Sequence, residues 1–119
     1  GGSRLTHKGR MVGTFTHMSP EQIAADPEKL GPHTDVWALG VVLYKSLTGS
    51  YPFRGASLVA ITGGITDRDP DPPRELDPGV PEALQAVCLK ALSKPVEDRY
   101  ADGEALAQAL DAALSEWVT

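Results

Sequence analysis

The sequence predicts an all-α fold, and three observations carry that prediction. Residues 34–48, TDVWALGVVLYKSLT, are apolar on nearly every helical face, through Val36, Trp37, Leu39, Val41, Val42, Leu43, Tyr44 and Leu47. Two later segments, 81–92 and 102–117, repeat apolar residues at helical spacing. Alternation of apolar and polar residues, the mark of a half-buried strand, is found nowhere at useful length.

The 34–48 segment organises the rest. A helix that is apolar all round is either buried or spans a membrane. Its apolar part falls short of the about 20 residues a bilayer needs, so it is expected as a central helix wrapped by its neighbours. Asp35 stands at its start, where a carboxylate can satisfy free backbone N–H groups and favour the helix dipole. Gly49 ends it, and Pro52 reinforces the stop.

Ahead of this helix, residues 3–12 are polar and mildly basic through Arg4, His7, Lys8 and Arg10, without a period of either kind, and read as loop. Gly1, Gly2 and Ser3 read equally as a cloning scar or a natural loop. A short helical turn is expected over 20–25, with Ser19 as N-cap and Pro20 in the first helical position. Residues 26–33 hold Pro27, Gly31 and Pro32 and read as loop.

Beyond the central helix, 49–55 forms a turn and 57–65 a weak helix. Gly63 and Gly64 cost that helix about 1 kcal/mol each relative to alanine, so it is expected to be short or mobile. Residues 67–80 carry Pro70, Pro72, Pro73 and Pro78 among aspartates, and read as an extended surface crossing. Helix 81–92 places Leu84, Val87, Cys88, Ala91 and Leu92 on one stripe. An irregular connector, 94–102, follows. Asp102 then caps a last helix whose buried face is expected to hold Leu106, Leu110, Ala113, Leu114 and Trp117.

Composition bounds the function. The 119 residues make one small domain or a piece of a larger one. A net charge of −5 argues against a sequence-independent grip on nucleic acid, which needs clustered Lys and Arg. No transmembrane run or signal peptide is visible, so no membrane contact by this segment is expected. The lone Cys88 rules out an internal disulfide and suits a reducing, cytoplasmic compartment. Cys88 itself reads as a small buried hydrophobe. His7, His17 and His33 lack the spacing of a zinc motif, so no metal site is expected.

Three segments, in order, carry a resemblance. Gly13-Thr14-Phe15-Thr16-His17-Met18-Ser19-Pro20-Glu21-Gln22 looks like the end of a kinase activation segment, G-T-x-x-Y-M-[AS]-P-E-Q. Asp35-Val36-Trp37-Ala38-Leu39-Gly40 onward, with Leu47-Thr48-Gly49 and Pro52-Phe53, is similar to the kinase helix that follows it. Cys88 to Lys94, then Asp98-Arg99-Tyr100, looks like the connector before the final helix. Together they resemble the C-terminal lobe of the eukaryotic-like serine/threonine protein kinases of bacteria. Two departures stand out: His17 replaces the usual tyrosine, and Pro95 is displaced by one position.

Kinase chemistry uses a Gly-rich loop, a lysine paired to a helix glutamate, a catalytic-loop Asp and Asn, and the metal-binding Asp of D-F-G. None of these motifs occurs here. The resemblance therefore implies a fragment from the activation segment onward, inactive alone, whose N-lobe and catalytic loop are missing. It implies ATP and Mg for the intact parent and none for the fragment, with a protein substrate as partner. The alternative is a non-catalytic half-kinase, or pseudokinase, acting as a helical interaction module.

The resemblance also assigns residues. Gly13, Thr14 and His17 would belong to a substrate-docking loop within 1–22, and Thr14 would support the missing catalytic Asp. Thr14 reads otherwise as a loop threonine bonded to its own backbone. Thr6 lies where related loops are phosphorylated, and reads equally as an unmodified solvated threonine. Glu21 and Arg99 match a structural ion pair tying the activation segment to the helical base, the alternative being two unrelated surface charges. Asp35 would brace the catalytic loop besides capping its helix. Loss of that loop is expected to uncover part of the central helix and favour self-association.

Overall fold

Every regular element is helical among residues 15–118, the part of the chain that the computed structural model describes. In order these are α1 (Pro20–Ile23), a 3₁₀ turn (Pro27–Lys29), α2 (Pro32–Thr48), α3 (Leu58–Asp67), α4 (Pro73–Leu76), α5 (Glu82–Ala91), a second 3₁₀ turn (Val96–Asp98) and α6 (Gly103–Val118). No helix in this range is long and apolar enough to cross a membrane.

The central helix α2 begins at Pro32, two positions before the expected start. Proline in the first turn has no N–H to lose and a backbone angle preset for the helix. The cap therefore falls at Gly31, whose N–H donates to Thr34 Oγ1 at 3.2 Å. Asp35 is not the cap: it sits exposed within the first turn, where a carboxylate favours the helix dipole. At the other end Gly49, at φ 79°, adopts the left-handed conformation that glycine tolerates and returns its N–H to Lys45 O at 2.8 Å.

Two clusters of buried side chains sit on α2. Trp37, Val41 and Tyr44 pack with Phe53, Ile61, Ile65, Cys88 and Leu92, while Val36 packs with Leu84, Val87, Ala91, Leu106 and Ala113. Each large side chain so covered is worth roughly 1.5–3 kcal/mol. Helix α5 crosses α2 so closely that a Cβ on Gly40 would lie 2.9 Å from Ala91 Cβ and 3.1 Å from Leu92 Cδ2. The buried Cys88 thiol reaches Gly40 O at 3.8 Å, and burial pushes it up to about 12.

The wrapping of α2 is incomplete. Leu39 and Val42 are 47% and 50% exposed, because no described element lies over that face. With Leu106 and Leu110 they line an open groove of about 280 Å³. The far end of α6 also departs from expectation. Leu114 and Trp117 are 42% and 62% exposed, since they border an unfilled apolar groove shared with Leu43, Leu47 and Leu84.

Helix α3 runs to Asp67, through both glycines. Ser57 Oγ accepts from Ala60 N at 3.1 Å, and Ile61, Gly64 and Ile65 are buried. The proline-rich crossing is not wholly extended: Pro73, buried, starts the short α4, and Arg74 N–H donates to Gln85 Oε1 at 2.8 Å. Tyr44 O–H holds the same crossing by donating to Asp71 O at 2.7 Å.

Candidate functional site

The densest polar arrangement joins the segment around α1 to the base of the helical core. Ser19 and Gln22 form a reciprocal cap on α1: Ser19 N–H donates to Gln22 Oε1 at 2.9 Å, and Gln22 N–H to Ser19 Oγ at 3.3 Å. This locks a four-residue helix too short to persist alone. Its second residue, Glu21, is aimed inward and buried.

Glu21 there meets Arg99, from the connector before α6. Arg99 Nη1 donates to Glu21 Oε2 at 2.7 Å and Nη2 to Oε1 at 3.1 Å, a two-pronged pair with side chains 0% and 3% exposed. Nη1 also donates to His33 O at 2.8 Å, Nη2 to Lys94 O at 3.1 Å and Nε to Ser93 O at 2.9 Å. A guanidinium has five N–H donors, and all five are used. Thr34 Oγ1 donates to Glu21 Oε2 at 3.0 Å, adding a third bond to the carboxylate. Burial alone would push the Glu21 carboxyl up, but the Arg99 bonds and charge, its own backbone N–H and Thr34 together hold it below the usual carboxylate range.

Aromatic rings floor this junction. The Arg99 guanidinium lies 5.1 Å from the Trp37 ring centre, and Trp37 stacks on Phe53 with centroids 5.7 Å apart and planes 6° from parallel. Lys94 Nζ sits 4.4 Å above the Phe53 ring and donates to the Gly64 and Ile65 carbonyls at the end of α3. Burial pushes the Lys94 ammonium down to about 8, and Arg68 adds to this, against the opposing pull of Asp69 and Asp67. Between α1, the end of α3 and the connector runs a cleft of about 450 Å³, lined in part by Glu21, Thr66 and Lys94.

On the outer side, His17 packs edge-on against Tyr51 with ring centres 5.7 Å apart, and Thr16 Oγ1 lies 3.1 Å from His17 Nδ1. The Lys45 ammonium lies 4.1 Å over the same Tyr51 ring. Among the sequence-predicted residues, the structure thus brings Glu21 and Arg99 together and sets His17 beside the turn after α2. Asp35 is exposed, next in the chain to Thr34, which bonds Glu21. Thr6, Gly13 and Thr14 lie outside the described residues. Lys94 and Thr34 were not expected at the site. Lys94 stands within the connector motif, but nothing in the motif reveals that its side chain caps a helix about 30 positions away.

No group of three or more His, Cys, Asp or Glu able to hold a metal ion occurs among the described residues. What the geometry does provide is a rigid joint between a surface segment and a helical core.

Sequence comparison agrees with that layout. Residues 2–111 match the protein kinase domain family. The tyrosine-protein kinase MasK of Myxococcus xanthus is 41% identical over 116 residues, covering 96% of this chain and 18% of MasK. The serine/threonine-protein kinase Pkn1 of Myxococcus xanthus is 42% identical over 113 residues, 95% of this chain and 16% of Pkn1. The serine/threonine-protein kinase PknB of Mycobacterium tuberculosis is 40% identical over 99 residues, 83% of this chain and 16% of PknB. The chain thus spans less than a fifth of the length of each of these relatives. With a family match over nearly its whole length, the chain belongs to the protein kinase domain family.

Proposed function

We propose that this chain is the C-terminal lobe portion of a serine/threonine protein kinase, which transfers the γ-phosphoryl group of ATP to Ser or Thr of a protein substrate. In this reading it supplies the scaffold and the substrate-docking elements, and the residues that bind ATP and Mg²⁺ and act on them lie elsewhere in the protein. The observation that carries the reading is the buried Glu21–Arg99 pair, which fixes the end of the expected activation segment to the helical core. A docking loop needs such an anchor because a loop free to shift by about 1 Å loses the positioning on which phosphoryl transfer depends.

Four further assignments belong to the same reading. Gly13, Thr14 and His17 serve substrate docking, and Asp35 braces the catalytic loop from the exposed first turn of α2. Thr6 takes a regulatory phosphate, and the protein works in the cytoplasm. The open face of α2 at Leu39 and Val42 is where the upstream helix and catalytic loop would lie.

A second reading, a non-catalytic helical interaction module, draws on one observation: no Gly-rich loop, H-R-D or D-F-G motif stands in these 119 residues. The natural reading frame ahead of Ser3 separates the two. Intact catalytic motifs there support the kinase, and degenerate or missing ones support the module.

A further inference from the structure

Lys94 is the one described lysine that the fold draws inward. Lys29, Lys45 and Lys90 are exposed, whereas Lys94 is half-buried. Its Nζ donates to Ile65 O and, at 3.1 Å, to Gly64 O, which also accepts from Arg68 N–H at 3.0 Å. The Phe53 ring centre lies 4.4 Å from Nζ and the Trp37 ring centre 5.6 Å away. No carboxylate among the described residues comes within ion-pair distance of it. A lysine so placed gives up hydration without gaining a counter-ion. Burial therefore holds its ammonium down to about 8, with Arg68 pushing the same way and Asp69 and Asp67 pulling back.

Lys94 is also open to small molecules. It lines both the cleft of about 450 Å³ beside α1 and another of about 530 Å³ shared with Asp69, Pro70 and Leu89. An ammonium has three protons, and two carbonyls use two of them, so the third can leave and a lone pair takes its place. We propose that Lys94 is a covalent modification site, whose neutral amine takes up the acyl group of a small acyl phosphate entering through these clefts. Nζ attacks the acyl carbon and a C–N bond forms. The C–O bond to phosphorus-bound oxygen breaks, phosphate leaves with that electron pair, and the surplus amine proton passes to solvent. The product amide is uncharged and keeps a single N–H, so one of the two carbonyl bonds is given up. Acylation therefore loosens the end of α3. It also reaches the Glu21–Arg99 joint, because the Lys94 carbonyl accepts from Arg99 Nη2 at 3.1 Å. None of this depends on the kinase reading.

Acetyl phosphate is the probe. The 119-residue chain is incubated with it at pH 8, native and in urea, and the acetylated fraction at each lysine is read by peptide mass spectrometry. At that pH about half of Lys94 is neutral, against roughly 0.3% of an ordinary lysine at 10.5. Its weaker basicity takes back part of that advantage. Native Lys94 is thus expected to be acetylated about tenfold faster than Lys29, Lys45 and Lys90, and the preference to vanish in urea. Labelling of native Lys94 no faster than the exposed lysines, or a preference that persists in urea, would overturn the proposal. In the chain acetylated at Lys94, the amides of residues 62–68 are expected to exchange with deuterium about tenfold faster, with α5 unchanged. Unchanged exchange there, or equal acceleration in every helix, would overturn the loosening of α3.

Discussion

Glu21 and Arg99, 78 positions apart, meet in a two-pronged buried contact of 2.7 and 3.1 Å in which every N–H of the guanidinium has an acceptor. Such completeness decides what breaking the pair does. Removing one partner strands the other charge in a site closed to water, at a cost of about 3–5 kcal/mol. Arg99→Ala is therefore expected to lose that much in urea unfolding, and Arg99→Lys to lose about 1–3 kcal/mol because an ammonium cannot fork. A double-mutant cycle with Glu21→Gln reports the coupling, and additive single effects would contradict it.

The same pair sets the acid response. The folded Glu21 carboxyl lies below its ordinary 4.5, so below that value the unfolded chain binds the extra proton. Stability then rises with pH through this window and is lost as pH falls through the folded value. Acid unfolding of wild type is expected to be steeper below pH 4.5 than that of Glu21→Gln. At the alkaline side Lys94, held down to about 8 from 10.5, works in the same sense: the unfolded chain keeps the proton longer, so stability rises above pH 8. Above about pH 9 the buried Cys88 thiol, ordinarily at 9.0 and here held up to about 12, works in the opposite sense and offsets that gain. Lys94→Arg, which does not titrate in this range, is expected to lack the rise.

Gly40 is a packing residue. A methyl group there meets Ala91 Cβ at 2.9 Å and Leu92 at 3.1 Å, both on or beside a rigid helix. Gly40→Ala is expected to destabilise by about 1–3 kcal/mol despite its better helix propensity, as overpacked cores do. Equilibrium unfolding checks this, and a stabilised variant would mean α5 yields.

The half-exposed Leu39 and Val42 are expected to make the isolated chain associate. Sedimentation at rising concentration is expected to show dimers or larger species, reduced in Val42→Lys. A strictly monomeric wild-type chain would show that this face tolerates water.

How far the sequence could be read depended on the kind of interaction. The helical class followed from periodicity, because one stripe of Leu and Ala per helix is a local pattern. The start of α2 was misjudged because Asp35 is a good capping residue, while the proline at position 32 had already fixed the helix phase. The apolar faces of α2 predict wrapping on every side; only the family resemblance implies that part of the helix stays uncovered, and no local pattern singles out Leu39 and Val42. The Glu21–Arg99 contact was approached only through family resemblance, since no periodicity links residues in two irregular segments. Lys94 was missed because a clamp on backbone carbonyls leaves no trace in the side chains it serves.

The most direct test is phosphate transfer. With labelled ATP, Mg²⁺ and a protein substrate, the 119-residue chain alone is expected to incorporate nothing. The natural protein that carries it is expected to label Ser or Thr, and its Arg99→Ala variant to lose most of that activity. Transfer by the chain alone, or label on tyrosine only, would contradict the assignment.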